Sequence, residues 1–241
     1  MQSTLATIMI MVFPICLSMG LPVFIYQIVL EKETRLMEYM KMNGLRMPNY
    51  WFVNFFFNFG FYMMTALSFI FFGFKVFEIA FFIKTNMIFL LLVMIGWGLA
   101  QISMAFLISI FLSKSQTAQI IGYSVGIWLT TMASVMNLTV FSNGDMDPIL
   151  YPLPTFTFAR LMYFMAARCR NGRCLAEWSD VEPEMYRCLI MLYVFAFVYL
   201  GLAMYLYQVV PQTYGVPKKW NFLWAKNRKQ RQVNQGDQML G

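Results

Sequence analysis

The sequence predicts an all-α fold whose helices cross a membrane several times. Of its 241 residues, 60% are hydrophobic and only 12% are charged, and the mean hydropathy is +0.60. Because a soluble domain carries about 25% charged residues, this chain has too few polar residues to cover a soluble globule. The apolar residues are gathered in long uncharged runs, and the excess positive charge lies between those runs.

Five uncharged runs predict five transmembrane helices. A helix needs about 20 apolar residues to cross the hydrocarbon core of a bilayer. Helices are expected because isolated segments in lipid must satisfy their own backbone hydrogen bonds. Pro14 and Pro22 are expected to kink the first span, since each lacks a backbone donor. The predicted spans cover residues 5–30, 50–73, 87–112, 119–140 and 188–209.

The charges between the spans predict the orientation of the chain. Segments 31–47, 113–118 and 211–241 hold eleven Lys and Arg against four acidic residues, and the charges elsewhere cancel. The positive-inside rule places these segments in the cytoplasm. Residues 1–210 then form a multi-pass domain in a membrane that the sequence does not specify, followed by a cytoplasmic linker and basic tail. Five spans leave the N-terminus outside, which predicts that a preceding span is missing from this chain.

A short amphipathic helix is predicted after the first span, in the sequence EKETRLMEYMKMNGL of residues 31–45. Leu36, Met37 and Met40 are expected to share one face of that helix. Gly44 is expected to end the helix in a left-handed conformation. Two interpretations remain open, a solvated helix close to the membrane or a lever that contacts a cytoplasmic partner.

Segment 148–187 on the outer side predicts a re-entrant helical hairpin. The mostly apolar stretch 155–167 would reach only about 20 Å as a helix, whereas the hydrocarbon core is about 30 Å thick. A sixth span is the alternative, but arginines at one edge and acidic residues at the other argue against it. Cys169 and Cys174 flank the turn, where either a disulfide or two free thiols would fit.

The sequence contains no recognisable catalytic motif. It has no histidine, no Walker A, signature or Walker B motif, no GxSxG and no HExxH. This chain alone is therefore not predicted to be an enzyme, to hold a cofactor or metal, or to bind nucleic acid. The cores of the spans lack ionisable groups apart from tyrosines and Cys16, which argues against a proton-driven transporter and a charged ion pore.

Neutral polar residues follow one face of the second span. At 100° per residue, they fall within an arc of about 120°. Such a stripe turns away from acyl chains, either to form hydrogen bonds between helices or to line a passage for an amphiphile. The stripe consists of Asn54, Asn58, Tyr62, Thr65 and Ser68.

Three separated stretches carry a family resemblance. Residues 31–45 and the following Tyr50-Trp51 are close to the pattern EKE-x-x-L-x-E-x-M-K-x-M-G-L with YW, although Asn43 stands where methionine is frequent. The second stretch is FLISIFLSK at 106–114, and the third runs from YLY at 205–207 to YGVPKKW at 214–220. In this order they resemble the membrane domain of an A-subfamily (ABCA-type, ABC-2 type) ABC transporter, over about residues 5–224.

The resemblance implies a role in ATP-driven transport of lipids or lipid-like amphiphiles. The five spans would be the second to sixth helices of one membrane half, and 148–187 would be paired outer half-helices. The bilayer, a second membrane half and a nucleotide-binding domain with ATP and Mg²⁺ would be the partners, in trans or in missing sequence. A coupling helix would rest on that ATPase domain through Glu31, Lys32, Glu33, Arg35, Leu36, Met40, Lys41 and Gly44.

Two other functions compete with this prediction. A membrane scaffold would keep the fold without transporting, and a scramblase or channel would pass lipid without ATP. Co-purification of an ATPase would favour the transporter, and lipid flux without ATP would favour the scramblase.

Overall fold

The computed structural model describes residues 12–75, 80–141, 144, 146–170 and 181–210. Every regular element in these residues is helical, with one 3₁₀ turn at Pro148–Leu150. The α-helices are α1 (Gly20–Glu33), α2 (Leu36–Met42), α3 (Met47–Lys75), α4 (Ala80–Lys84), α5 (Met87–Ile110), α6 (Ser115–Thr139), α7 (Pro154–Arg170) and α8 (Pro183–Val209).

Five helices in the described residues are long and apolar enough to cross a membrane. They are Val12–Glu33, which contains α1, together with α3, α5, α6 and α8. The predicted all-α fold with five membrane-spanning helices is therefore confirmed. The last helix begins at Pro183, five residues before the predicted start, and proline suits a first helical turn because its missing amide hydrogen would have no partner there.

Helix α5 is the centre of the bundle and packs against α1, α3, α7 and α8. Its glycines allow neighbouring helices to approach closely. A Cβ added at Gly96 would lie 3.0 Å from the Tyr193 ring of α8, and one added at Gly98 would overlap the Tyr62 ring of α3. The Tyr193 and Tyr62 hydroxyls also donate to carbonyls of α5, at 2.8 Å from Leu92 O and 3.1 Å from Met94 O.

The first span is interrupted at Met19 and continues as α1 from Gly20. Pro22 has no amide hydrogen to donate to the carbonyl of Ser18 four residues earlier, as the sequence predicted. Gln101 of α5 supplies a donor instead, because its Nε2 lies 3.2 Å from both Leu17 O and Ser18 O. This side chain stabilises the break by satisfying backbone groups that water cannot reach in lipid.

Candidate functional site

The end of α1 carries three consecutive charged residues, Glu31, Lys32 and Glu33, which we call the EKE triplet. Neighbouring residues on an α-helix point about 100° apart. The three side chains therefore reach three different helices of the bundle.

Glu31 joins α1 to α3. Its Oε2 accepts a hydrogen bond from the Tyr50 hydroxyl at 2.5 Å and a longer one from Asn54 Nδ2 at 3.4 Å. Tyr50 and Asn54 are both buried. A carboxylate that is bonded to two donors here holds the first turns of α3 against the end of α1.

Lys32 caps the end of α5. Its Nζ donates to Ile110 O at 3.2 Å and to Leu112 O at 3.0 Å. The last carbonyls of a helix have no partner within the helix, and the negative end of the helix dipole attracts a cation. Lys32 satisfies both requirements.

Glu33 lies at the beginning of α6. Its Oε2 accepts a hydrogen bond of 2.7 Å from the backbone amide of Ser115, the first residue of that helix. The helix N-terminus has free amides and a partial positive charge, so an anion is favourable there. The order Lys32-Glu33 thus places a cation at the C-terminal end of α5 and an anion at the N-terminal end of α6.

The predicted single helix over 31–45 is divided in the structure, which corrects that prediction. Helix α1 continues to Glu33, and α2 starts at Leu36 after Thr34 and Arg35. Arg35 has a φ of 58°, a left-handed conformation that is uncommon for a non-glycine residue and stops the helix. Gly44 has a φ of 88°, as predicted for the residue that ends α2.

Helix α2 has one anchored side and one outward side. Met37 is buried, Met40 is partly buried, and the Tyr207 hydroxyl of α8 lies 2.6 Å from Met37 Sδ. The Tyr207 ring packs edge-on against Trp51 at 5.0 Å. Leu36 is exposed, unlike the adjacent Met37, because neighbouring helical residues diverge by about 100°.

We call the outward residues Leu36, Tyr39 and Met42 the α2 apolar face. Their exposed fractions are 47%, 63% and 79%. Of the other residues expected to couple, Arg35 and Gly44 are exposed beside α2 and Lys41 belongs to α2.

The residues of the polar stripe on α3 lie in two different environments. Asn54, Asn58 and Tyr62 are buried, whereas Thr65 and Ser68 are exposed. The exposed hydroxyls donate to carbonyls of their own helix, at 3.1 Å from Phe61 O and 2.7 Å from Met64 O.

The reason for this division is the direction of the buried ridge of α3. The buried residues recur every four positions, and each step of four rotates the ridge by about 40° around the helix. A stripe that follows the helix axis therefore leaves the interface after about three turns. The ridge consists of Asn54, Asn58, Tyr62, Ala66 and Ile70.

Arg160 of α7 forms a buried polar centre at the opposite end of the bundle. Its side chain is 2% exposed, and its Nε lies 3.0 Å from Glu184 Oε1 of α8. Its other nitrogens donate to Phe141 O at 2.5 Å and Gly144 O at 2.6 Å, and its guanidinium lies 4.4 Å from the centre of the Phe164 ring. Sequence reasoning missed this centre, although Arg160 was the single charge in the apolar stretch 155–167.

Comparisons with known proteins agree with this architecture. A family model described as "ABC-2 family transporter protein" matches residues 1–205. The chain belongs to the ABC-2 transporter family. This ABC-2 domain is 35% identical over 207 residues to "ABC transporter A family member 9" of Dictyostelium discoideum, covering 85% of this chain and 24% of that protein.

Two further relatives of this ABC-2 domain are also A-family ABC transporters. "ABC transporter A family member 7" of Dictyostelium discoideum is 34% identical over 236 residues, covering 93% of this chain and 27% of that protein. "Glucosylceramide transporter ABCA12" of Homo sapiens is 27% identical over 214 residues, covering 83% of this chain and 8% of that protein. The chain spans about a quarter of the length of the two Dictyostelium relatives, and the resemblance to ABCA-type transporters is confirmed.

The predicted outer hairpin, residues 148–187, lies only partly within the described residues. Helix α7 corresponds to its predicted first limb and has 17 residues, about 26 Å at 1.5 Å each, so it is shorter than the five membrane-spanning helices. Cys169 lies near its end with Sγ 3.8 Å from the Thr85 hydroxyl. Cys174 and the basic tail 211–241 lie outside the described residues, so the disulfide with Cys169 and the role of the tail stay predictions. In the described part of the chain, no group of His, Cys, Asp or Glu could hold a metal ion.

Proposed function

We propose that this ABC-2 domain is the membrane-spanning part of an ATP-driven transporter of lipids or lipid-like amphiphiles. An ATPase domain with ATP and Mg²⁺ and a second membrane half would complete the transporter, in trans or elsewhere in the same protein. The observation that carries the proposal is the geometry of α2. Its α2 apolar face points outward, while Met37 on its other side is anchored to α8.

The α2 apolar face supports a docking role better than that of a solvated helix. Single exposed apolar residues are common, but here Leu36, Tyr39 and Met42 share a helix of only seven residues. Tyrosine and methionine are enriched in the cores of protein interfaces. The same end of the bundle holds segments 31–47 and 113–118, two of the basic segments that the positive-inside rule places in the cytoplasm, where ATP is available.

An amphiphilic substrate is supported by the surface of α3. Exposed Thr65 and Ser68 lie among exposed aromatic rings such as Phe61 and Phe72, so hydroxyl and apolar groups alternate on one surface. A neutral mixed surface suits a lipid better than an ion, which would need charged partners. The name of the human relative, a glucosylceramide transporter, points to the same substrate class. We assign the pathway to the stripe of Asn54, Asn58, Tyr62, Thr65 and Ser68, with Thr65 and Ser68 in direct reach of substrate.

The proposal is tested with the complete transporter in liposomes. Transport of a fluorescent glucosylceramide is measured with and without ATP for the wild type and for the double variant Tyr39→Ser/Met42→Ser. We expect ATP-driven transport to fall at least about tenfold, because each interface anchor contributes about 2 kcal/mol. The control is Ile149→Ser, which removes an 85% exposed apolar residue at the opposite end and should transport normally.

The two competing functions give different results in the same assay. Equal wild-type flux with and without ATP would identify a scramblase or channel and would contradict the proposal. If the purified membrane protein carries no ATPase and shows no flux under either condition, the scaffold is correct.

A further inference from the structure

We infer that the EKE triplet transmits movement from the coupling segment to three membrane helices, and that it acts by positioning these helices rather than by binding the ATPase domain. The inference rests on the proposed function, because it assumes that an ATPase domain docks on α2. It assigns the triplet a task different from that of the α2 apolar face, although the sequence placed all of these residues in one coupling helix.

The first argument is where the charged groups of the triplet lie. The Glu31 carboxylate is bonded to the Tyr50 hydroxyl of α3, Lys32 Nζ to two carbonyls at the end of α5, and the Glu33 carboxylate to the first amide of α6. Each charged group is thus engaged within the chain. A partner that docks on this end of the bundle would contact the α2 apolar face, whose side chains are exposed.

The second argument is the connection between α2 and the triplet. Only Thr34 and Arg35 separate them, and the Thr34 hydroxyl donates to Leu30 O at 2.8 Å, which closes the last turn of α1. A displacement of α2 is therefore transmitted to Glu33 along only two intervening backbone residues. Because Glu33 and Lys32 hold the two sides of the 111–114 turn, that turn would move together with the end of α1.

The third argument is the sign of the charges. The Lys32 cation meets the negative end of α5 and the Glu33 anion meets the positive end of α6. Neutral substitutions would remove these attractions, whereas Lys32→Arg would retain the cation and its donors. The conservative variant therefore separates a requirement for charge from a requirement for lysine packing.

The test measures ATP hydrolysis and ATP-driven lipid transport in parallel on the complete transporter in liposomes. For Lys32→Met and for Glu33→Ala, we expect hydrolysis within about twofold of wild type and transport lowered about tenfold, the loss expected for one charge-assisted hydrogen bond. Lys32→Arg should restore transport. The matched control is Glu38→Ala in the same segment. The Glu38 carboxylate forms no hydrogen bond or ion pair with another of the described residues, so its removal should leave transport unchanged.

Two outcomes would overturn the inference. Normal transport per ATP in both neutral variants would show that the triplet is dispensable, and an equal loss of hydrolysis and transport would show that it binds the ATPase domain. If the wild-type transporter itself shows no ATP-driven transport, the proposed function fails instead, and the two failures are thereby distinguished.

A distance measurement keeps the inference testable if a variant folds but assembles poorly with the ATPase domain. Spin labels at the exposed positions Thr34 and Thr117 report the distance between the end of α1 and the first turn of α6. We expect this distance to stay constant when ATP binds in the wild type and to broaden in Glu33→Ala. A wild-type distance that changes on ATP binding would contradict movement of the triplet and α6 as one unit.

Discussion

Arg160 has the strongest requirement for its partner among the described residues, because its charge is almost fully buried. Arg160→Met would leave Glu184, whose side chain is 13% exposed, without its cation, and breaking a buried pair in this way costs about 3–5 kcal/mol. We expect a large decrease in the thermal midpoint of the detergent-solubilised protein. Arg160→Met/Glu184→Leu should recover only part of this loss, since the carbonyls of Phe141 and Gly144 would still lack donors.

The matched control at the residue scale is Arg168→Met. Arg168 and Glu182 form a 2.7 Å ion pair whose side chains are 30% and 41% exposed. An exposed pair contributes about 0–1 kcal/mol, so this variant should unfold near the wild-type temperature. Equal destabilisation by Arg160→Met and Arg168→Met would refute the assignment of Arg160 as a buried polar centre.

Individual residues were the hardest level to predict from the sequence. The uncharged cores were visible because hydropathy is a local property, but a side chain's partner is not. Lys32 meets carbonyls about 80 positions later, and nothing within its own segment indicates them. Arg160 was visible as an isolated charge, but nothing near it in the sequence indicates its partner Glu184, which lies 24 positions later.

Between elements, the contact of α1 with α6 depends on one glycine of the Gly122-xxx-Gly126 pair. A Cβ at Gly122 would lie 2.8 Å from the backbone Cα of Pro22, whereas one at Gly126 would meet Ser18 O at an ordinary 3.6 Å. Gly122→Ala should therefore destabilise the domain by about 1–3 kcal/mol through overpacking. Gly126→Ala should be nearly neutral in the same thermal unfolding assay, and the reverse order would contradict the packing of α1 on α6.

The helices themselves were predictable, but their contact faces were only partly so. The stripe on α3 was correctly drawn on a helical wheel, yet a wheel assumes that the buried face runs parallel to the helix axis. Because the actual ridge rotates, Asn58 is buried and Ser68 is exposed. The break between α1 and α2 within residues 31–45 was likewise not predictable from the sequence, since the left-handed conformation of Arg35 has no strong sequence signal.

For the whole molecule, the contacts divide the connecting segments between two ends. The bonds of Lys32 to Leu112 and of Glu33 to Ser115 bring segments 31–47 and 113–118 together, and Arg160 joins the residues around 144 and 184 at the other end. The first group carries five Lys and Arg against three acidic residues, whereas the charges between the other spans cancel, so that end should face the cytoplasm.

This orientation is tested by thiol labelling in sealed vesicles whose cytoplasmic face points outward. Single cysteines are introduced at exposed Thr34 and Ile149 after all four native cysteines are replaced, namely Cys16, Cys169, Cys174 and Cys188. A membrane-impermeant maleimide should label Thr34→Cys at once and Ile149→Cys only after detergent is added. The opposite order would place α2 on the side without ATP, and coupling to an ATPase domain through the α2 apolar face would then be physically impossible.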